Sequence, residues 1–306
     1  MAAFTSFSDY ALECYLKMFG RGSLKGYSPI SSGIDNSNYW VQLDDDHEVT
    51  EFVLTIMENH SFDEAPFFGK LLTHLHHYGL PVPAPQTTLD GMMSTIFCGK
   101  PTFLVKRLPG THFANATQVQ CRRIGEFLAA QHNALSELKT HKPNHYSASW
   151  MSATAAAQGE RISSEDRLLL EKCIELYEQV NQEGLPTGLI HGDLFRDNAL
   201  FEEDELTGVI DYYRSCEDLL AMDIAIALND WCRDHKEEPD SDKEVALLEG
   251  YNTFRPLSDA ESEAMVNLQT IAAARFALTR LEIGEPALKN PFEMIHLART
   301  LLDLRH

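Results

Sequence analysis

Apolar residues change their spacing several times along the 306-residue chain, and each change marks an element. Over residues 5–19, Phe7, Tyr10, Ala11, Cys14, Tyr15 and Met18 recur every three or four positions, the repeat of a helix with one buried face. "NYWVQL" and "EFVLTIM" are instead rich in β-branched and aromatic residues. The polar "DDDHE" separates them, which predicts a β-hairpin. "APFFGKLLTHLHHY" at 65–78 returns to helical spacing and stops at Gly79. Each proline of "LPVPAP" pushes the residue before it out of the helical region, so this stretch is an extended connector. "MMSTIFCG" and "PTFLVKRL" are two further short strands. After "LPG" at 108–110 the pattern becomes mainly helical. A helix is predicted over 117–138, with Val119, Ile124, Phe127, Leu128, Leu135 and Leu138 as its apolar stripe. Another is predicted over 164–182, and more follow from Leu219 onward. The organisation is α+β: a small sheet-rich lobe over 1–107 and a larger helical lobe over 108–306, with a ligand site expected in the cleft between them.

Composition narrows the classes. No apolar run approaches the ~20 residues of a membrane span. The N-terminal stretch lacks a basic start followed by an apolar core, so no secretory signal is expected. Cysteines at 14, 98, 121, 173, 216 and 232 form no Cys-x-x-Cys pair and read as reduced thiols of a cytoplasmic protein. The formal net charge of −21 repels polyanions, and no basic patch offsets it, so nucleic acid is not expected as a partner. A phosphate-bearing ligand would need metal ions or backbone amides to overcome the same field.

The chemistry concentrates in "HGDLFRDN", residues 191–198, directly after the apolar "GLI". Two apolar runs, "NALF" and "GVID", then flank the acidic "EEDELT". A hairpin with its turn centred between Asp204 and Glu205 would set Asn198 opposite Asp211, beside the loop that carries Asp193. Hard cations such as Mg²⁺ take oxygen ligands and complete their shell with substrate phosphates, which suits an Asn and an Asp presented together. Asp193 is then placed to take a proton from a substrate hydroxyl. His-x-Asp, four residues, Asn, and a downstream Asp on a strand is the spacing used for phosphoryl transfer in kinase-like proteins. His191 shares the catalytic motif, as a structural hydrogen-bonder rather than a proton carrier. Asp197 reads as a solvated loop carboxylate.

On these residues the chain resembles the aminoglycoside phosphotransferase superfamily, whose members share a bilobal protein-kinase-like fold. Within it the chain is most similar to the type II homoserine kinases. "SSGIDNSNYWV" resembles that family's first-strand segment and phosphate-approaching turn. "EFVLTIME" resembles its third strand, "PFFGKLLTHLHHYGLPVPAP" its helix and connector, and "AARFALTRLE" a late helix of its large lobe. "LIHGDLFRDNALF", "GVIDYY" and "MDIAIALNDWC" resemble its catalytic core.

The resemblance implies an ATP- and Mg²⁺-dependent kinase that converts the small-molecule substrate L-homoserine to O-phospho-L-homoserine, on the route to threonine. It implies Asp193 as base, Asn198 and Asp211 as the metal-holding pair, and Asp223 as a brace for the catalytic loop. The segment 103–108 would link the lobes and contact adenine. Kinases usually carry a lysine on the third strand; here Thr55 stands in its place. The phosphate contact is open among Lys106, Lys70 and the backbone amides of 31–38. Of the glycine-rich loop only Gly33 is present, so Ser31, Ser32, Asn36, Ser37 and Asn38 are expected to help. The substrate carboxylate calls for an arginine. Arg275 and Arg280 are the candidates, with Arg196 and Arg214 behind them. Arg275 and Arg280 are five residues apart and do not share a helix face well, so at most one serves. Two alternatives remain: a related kinase for another amino alcohol or hydroxy amino acid, and a nucleotide-binding pseudokinase scaffold, suggested by the missing lysine.

Overall fold

The computed structural model describes residues 5–30, 35–45, 48–181, 184–284 and 289–304, so the candidates Ser32 and Gly33 lie outside the described residues. The chain divides into two compact units, one of residues 1–110 with 207–210, the other of 111–206 with 211–306.

The first unit is built on an antiparallel sheet. Its strands are β1 (Ser23–Ile30), β2 (Asn36–Asp45), β3 (Glu48–Met57), β4 (Thr95–Phe97) and β5 (Lys100–Lys106), in the order β1-β2-β3-β5-β4. β2 and β3 are the expected hairpin, in a register that pairs Asn38 with Thr55 and Trp40 with Val53. The period of two sends Tyr39, Val41, Leu43, Phe52, Leu54 and Ile56 to one face. There they meet Leu12, Tyr15, Leu16 and Phe19 from helix α1 (Asp9–Leu16) and the 3₁₀ turn after it. Helix α2 (Ala65–His77) follows β3 and ends before Gly79, as its spacing predicts. β1 was not foreseen: "SLKGYSPI" carries Gly26 and Pro29, poor strand residues that an edge position with a bulge tolerates. At the end of the sheet Glu58 accepts hydrogen bonds from Thr5 Oγ1, Ser37 Oγ and Lys100 Nζ.

The second unit is mainly helical. It contains α3 (Gln118–Leu135), α4 (Ala148–Ala157), α5 (Ser164–Val180), α6 (Leu220–Trp231), α7 (Ser241–Phe254), α8 (Asp259–Ile283) and α9 (Pro291–Asp303). The stripe of α3 departs from expectation at Val119, which is exposed; Cys121, Gln131 and His132 are buried instead. α3 and α7 pack backbone to backbone. A Cβ at Gly125 would overlap the carbonyl of Leu247, and one at Gly250 that of Arg122. α4 was also unforeseen, because "ASWMSATAAA" has small residues in place of an apolar stripe. Among the described residues no helix is long and apolar enough to cross a membrane.

Two short ladders position the chemistry. β6 (Thr187–Ile190) pairs antiparallel with β9 (Cys216–Leu219), Ile190 opposite Cys216. The chain leaving β6 at His191 and the chain entering β9 from 211–215 are therefore held at one end of the ladder. β7 (Ala199–Glu202) and β8 (Glu205–Val209) form the second ladder. Its turn is Glu203–Asp204, earlier than the sequence pattern placed it, with Glu203 at φ 53°. Asn198 and Asp211 both lie outside that ladder and do not pair directly across it; the β6–β9 ladder is what sets the start of the 191–198 loop beside 211–215.

Candidate active site

The loop 191–198 is held from beneath by Asp223, in the first turn of α6. The Asp223 carboxylate is wholly buried and accepts the amides of His191 (2.7 Å) and Gly192 (2.8 Å), His132 Nε2 (3.1 Å) and Gln131 Nε2 (3.3 Å). Burial pushes its pKa up, but the bond from His132, the charges of His132 and His191 and the Gly192 amide outweigh that and hold it below the usual aspartate range. Gly192 sits at φ 77°, and a Cβ there would lie 2.8 Å from the Arg214 carbonyl, so both conformation and space require glycine.

Three successive carbonyls of the turn are also taken. Arg275 Nη2 donates to Gly192 O, Asn198 Nδ2 to Asp193 O (2.8 Å) and Trp231 Nε1 to Leu194 O (3.0 Å). That bond fixes the Asn198 side chain against the backbone of the residue whose carboxylate is the candidate base. His191 is buried, packs with its ring tilted against Tyr212 at 4.3 Å, and accepts the Asp193 amide at Nδ1 (3.2 Å). That bond makes its ring a brace of the turn.

Asp193 projects from this frame with its side chain 15% exposed, and Arg214 Nε lies 3.4 Å from Oδ2. Burial pushes its pKa up to about 7; Asp211 and Asp197 add to the rise, while Arg214 and Arg275 oppose it. Asp211 adopts a left-handed conformation (φ 65°, ψ 56°) as the chain turns from β8 toward β9. That is a costly geometry for a residue other than glycine, of the kind found at functional sites. Among the described residues no three His, Cys, Asp or Glu side chains gather to hold a metal by themselves. A cation at Asn198 and Asp211 would draw the rest of its shell from phosphate oxygens and water, which is how Mg²⁺ is commonly held.

The remaining candidates separate. Arg275, 2% exposed, joins the loop. Arg280 donates to Asn290 O (2.9 Å) and pairs with Glu293 (3.7 Å), while the carboxylates of Asp230, Asp193 and Asp197 also act on its charge. Arg196 is engaged with Asp230 (3.2 Å) and Glu237 (3.1 Å), and Asp197 with Lys289 (2.6 Å). Asn36, Asn38 and Lys106 belong to the first unit. Asn36 is buried and Lys106 exposed. Asn38 Oδ1 accepts from Thr55 Oγ1 (2.7 Å), so the threonine at the lysine position is bonded to the strand beside it. Lys70 is exposed on α2. Sequence reasoning missed Gln131, His132, Trp231 and Tyr146. The first two had a signal: polar residues standing in line with Ile124, Leu128 and Leu135 on a buried helix face.

Comparison with known proteins shows the family and the fold. The model of a phosphotransferase enzyme family matches residues 26–257. The homoserine kinase of Methylobacillus flagellatus is 38% identical over 281 residues, covering 92% of this chain and 87% of the relative. That of Xanthobacter autotrophicus is 35% identical over 309 residues, covering 98% and 95%. Among solved structures, the amicoumacin kinase hAmiN, in complex with AMP-PNP, Ca²⁺ and Ami, superposes with a TM-score of 0.75 at 14% identity, covering 97% of this chain and 94% of that one. A microcompartment-associated aminopropanol kinase gives 0.72 at 15% identity, covering 95% of each. The fold is the protein-kinase-like α+β fold of these phosphotransferases. The chain belongs to the phosphotransferase enzyme family and, within it, to the homoserine kinases that it matches along nearly its whole length.

Proposed function

We propose that this kinase transfers the γ-phosphoryl group of ATP to the side-chain hydroxyl of L-homoserine, in the cytoplasm, as a step toward threonine. The observation that supports the reading is the braced loop 191–198: it holds one carboxylate, Asp193, with Asn198 bonded to its backbone and the charge of Asp211 acting on it. The Asp193 carboxylate accepts the hydroxyl proton while the hydroxyl oxygen bonds to the γ-phosphorus. The bond from phosphorus to the β,γ-bridging oxygen breaks, and ADP leaves with that electron pair. Such transfers ask the protein mainly for positioning and charge neutralisation. Asn198 through its carbonyl oxygen and Asp211 through its carboxylate would hold Mg²⁺, which supplies the positive charge that phosphate oxygens need next to an acidic protein. In the first unit, Asn36, Asn38 and Lys106 are the proposed nucleotide contacts, with Ser32 and Gly33 of the preceding turn. His191 acts by holding the amide of Asp193. Of the two arginines proposed for the substrate carboxylate, Arg275 is favoured, since among the described residues its buried Nη1 has no bond partner, whereas Arg280 is bonded to Asn290 and paired with Glu293.

The test is ADP release from Mg-ATP with L-homoserine, L-serine, L-threonine and choline. L-homoserine is expected to be turned over well above the others, and a panel led by another acceptor would refute the substrate assignment. ATP binding without turnover of any acceptor would favour a scaffold.

A further inference from the structure

Among the described residues, two buried side-chain donors of the second unit, Arg275 Nη1 and Trp150 Nε1, have no hydrogen-bond partner. Buried polar groups are nearly always bonded, and a guanidinium, always charged, is the costliest to leave incomplete. Both residues pack on one ring. The Arg275 guanidinium lies 5.1 Å from the centroid of Tyr146, and Trp150 packs edge-on against Tyr146 at 5.0 Å. The Tyr146 hydroxyl accepts from Arg214 Nη1 (2.8 Å), and Arg214 in turn faces Asp193. Among the described residues Arg275 forms no ion pair, although its charge is buried. The nearby buried carboxylate of Asp218 is already bonded by Asn144 Nδ2 (2.8 Å) and the Tyr177 hydroxyl (3.2 Å).

The charges of Asp218 and Asp193 act on Arg275 without bonding Nη1, so what the two donors lack is a hydrogen-bond acceptor. A carboxylate meets the requirement: it offers several lone pairs, and its bond to a guanidinium is charge-assisted. We infer that Arg275 Nη1 and Trp150 Nε1 receive the carboxylate of the hydroxy amino acid against the Tyr146 ring, making the segment 144–150 the part of the protein that selects an amino acid over an amino alcohol. This rests on the substrate class proposed above and adds Trp150 and Tyr146 to it. Arg275 also holds Gly192 O, so the group that anchors the carboxylate is bonded to the turn that carries the base. The hydroxyl, at the far end of a short aliphatic chain from that anchor, is thereby directed to Asp193. Tyr146 is a positioning residue: it supports Arg275 with its face and Arg214 with its hydroxyl.

The experiment compares L-homoserine with 3-aminopropan-1-ol, the same molecule without its carboxylate, in the wild type and in Trp150→Phe. The readouts are kcat/KM and calorimetric affinity. Loss of the indole donor is expected to lower the ratio of homoserine to aminopropanol kcat/KM about tenfold, the usual scale for a bond to a charged group, through KM. Arg275→Lys is expected to lower the same ratio further. A Trp150→Phe variant that changes both substrates by one common factor, or neither, would overturn the inference while leaving homoserine phosphorylation in place. A wild type that prefers another hydroxy carboxylic acid, with the ratio still falling in the variant, would overturn the choice of homoserine and support the carboxylate site. Equal wild-type affinity for the two ligands would overturn the carboxylate site whatever the turnover.

Discussion

The sheet of the first unit and the loop 191–198 of the second are both rigidly specified, by opposite means. The sheet is held by alternation: Val41, Leu43, Leu54 and Ile56 are fully buried against α1, each a side chain whose burial stabilises by roughly 1.5–3 kcal/mol. The loop is held by buried polar groups, with Asp223, His132, Gln131, Arg275 and Trp231 meeting its amides and carbonyls. An apolar face tolerates exchange between similar shapes, whereas a buried polar frame loses its value if one member goes. The first is a platform; the second is a device for placing one carboxylate.

The sharpest way to test that contrast is at the carboxylate itself. Asp193→Asn should cut kcat by about 10²- to 10⁴-fold, the range for a general base, with ATP affinity by calorimetry retained. Loss of ATP binding in that variant would mean the loop serves the nucleotide instead.

Next is the frame. Asp223→Ala strips the loop amides and His132 of their acceptor, and should cost about 3–5 kcal/mol by urea unfolding. The pH dependence has a definite sign. A carboxyl whose folded pKa is lowered contributes stability that is fully present above its unfolded value, near ~4, and lost as pH falls through the folded value. The stability gap between the wild type and Asp223→Asn should therefore be constant near neutrality and close in acid. A gap that instead widened in acid would contradict the buried carboxylate.

On the platform, Leu54→Ala should cost about 2–5 kcal/mol of stability, yet leave kcat of the folded fraction near wild type. Equal damage to kcat from Leu54→Ala and Asp223→Ala would erase the distinction between the two regions. The smallest effect is expected at Arg107, whose pair with Glu51 (2.6 Å) leaves both side chains 42% exposed. Arg107→Ala should change stability by no more than about 1 kcal/mol, less in high salt.

The same contrast explains what could be read in advance. β2, β3, α2 and α3 follow from local periodicity, and Asp193, Asn198 and Asp211 from spacing within a short motif. β1 escaped because an edge strand with Gly26 and Pro29 has no alternation to display, and α4 because alanine and serine leave no stripe. The hairpin from Ala199 to Val209 was legible, but its turn was not. The two-residue turn relies on Glu203 taking a left-handed conformation that its side chain does not advertise. The bracing partners lie further from reach. His132 and Asp223 are 91 residues apart, and Arg275 and Gly192 are 83 apart, so no window contains both members of either pair. Arg275 and Arg280 looked alike as residues of one helix; only their neighbours distinguish an incomplete guanidinium from one bonded to Asn290.

The ties at Thr5 have a practical side for whoever prepares this protein. Its amide bonds Ser37 Oγ (2.9 Å), its hydroxyl bonds Glu58 (2.6 Å) and Lys100 (2.9 Å), and its carbonyl accepts from the Tyr39 hydroxyl (2.7 Å). A purification handle fused close to this residue would compete for the surface those bonds occupy.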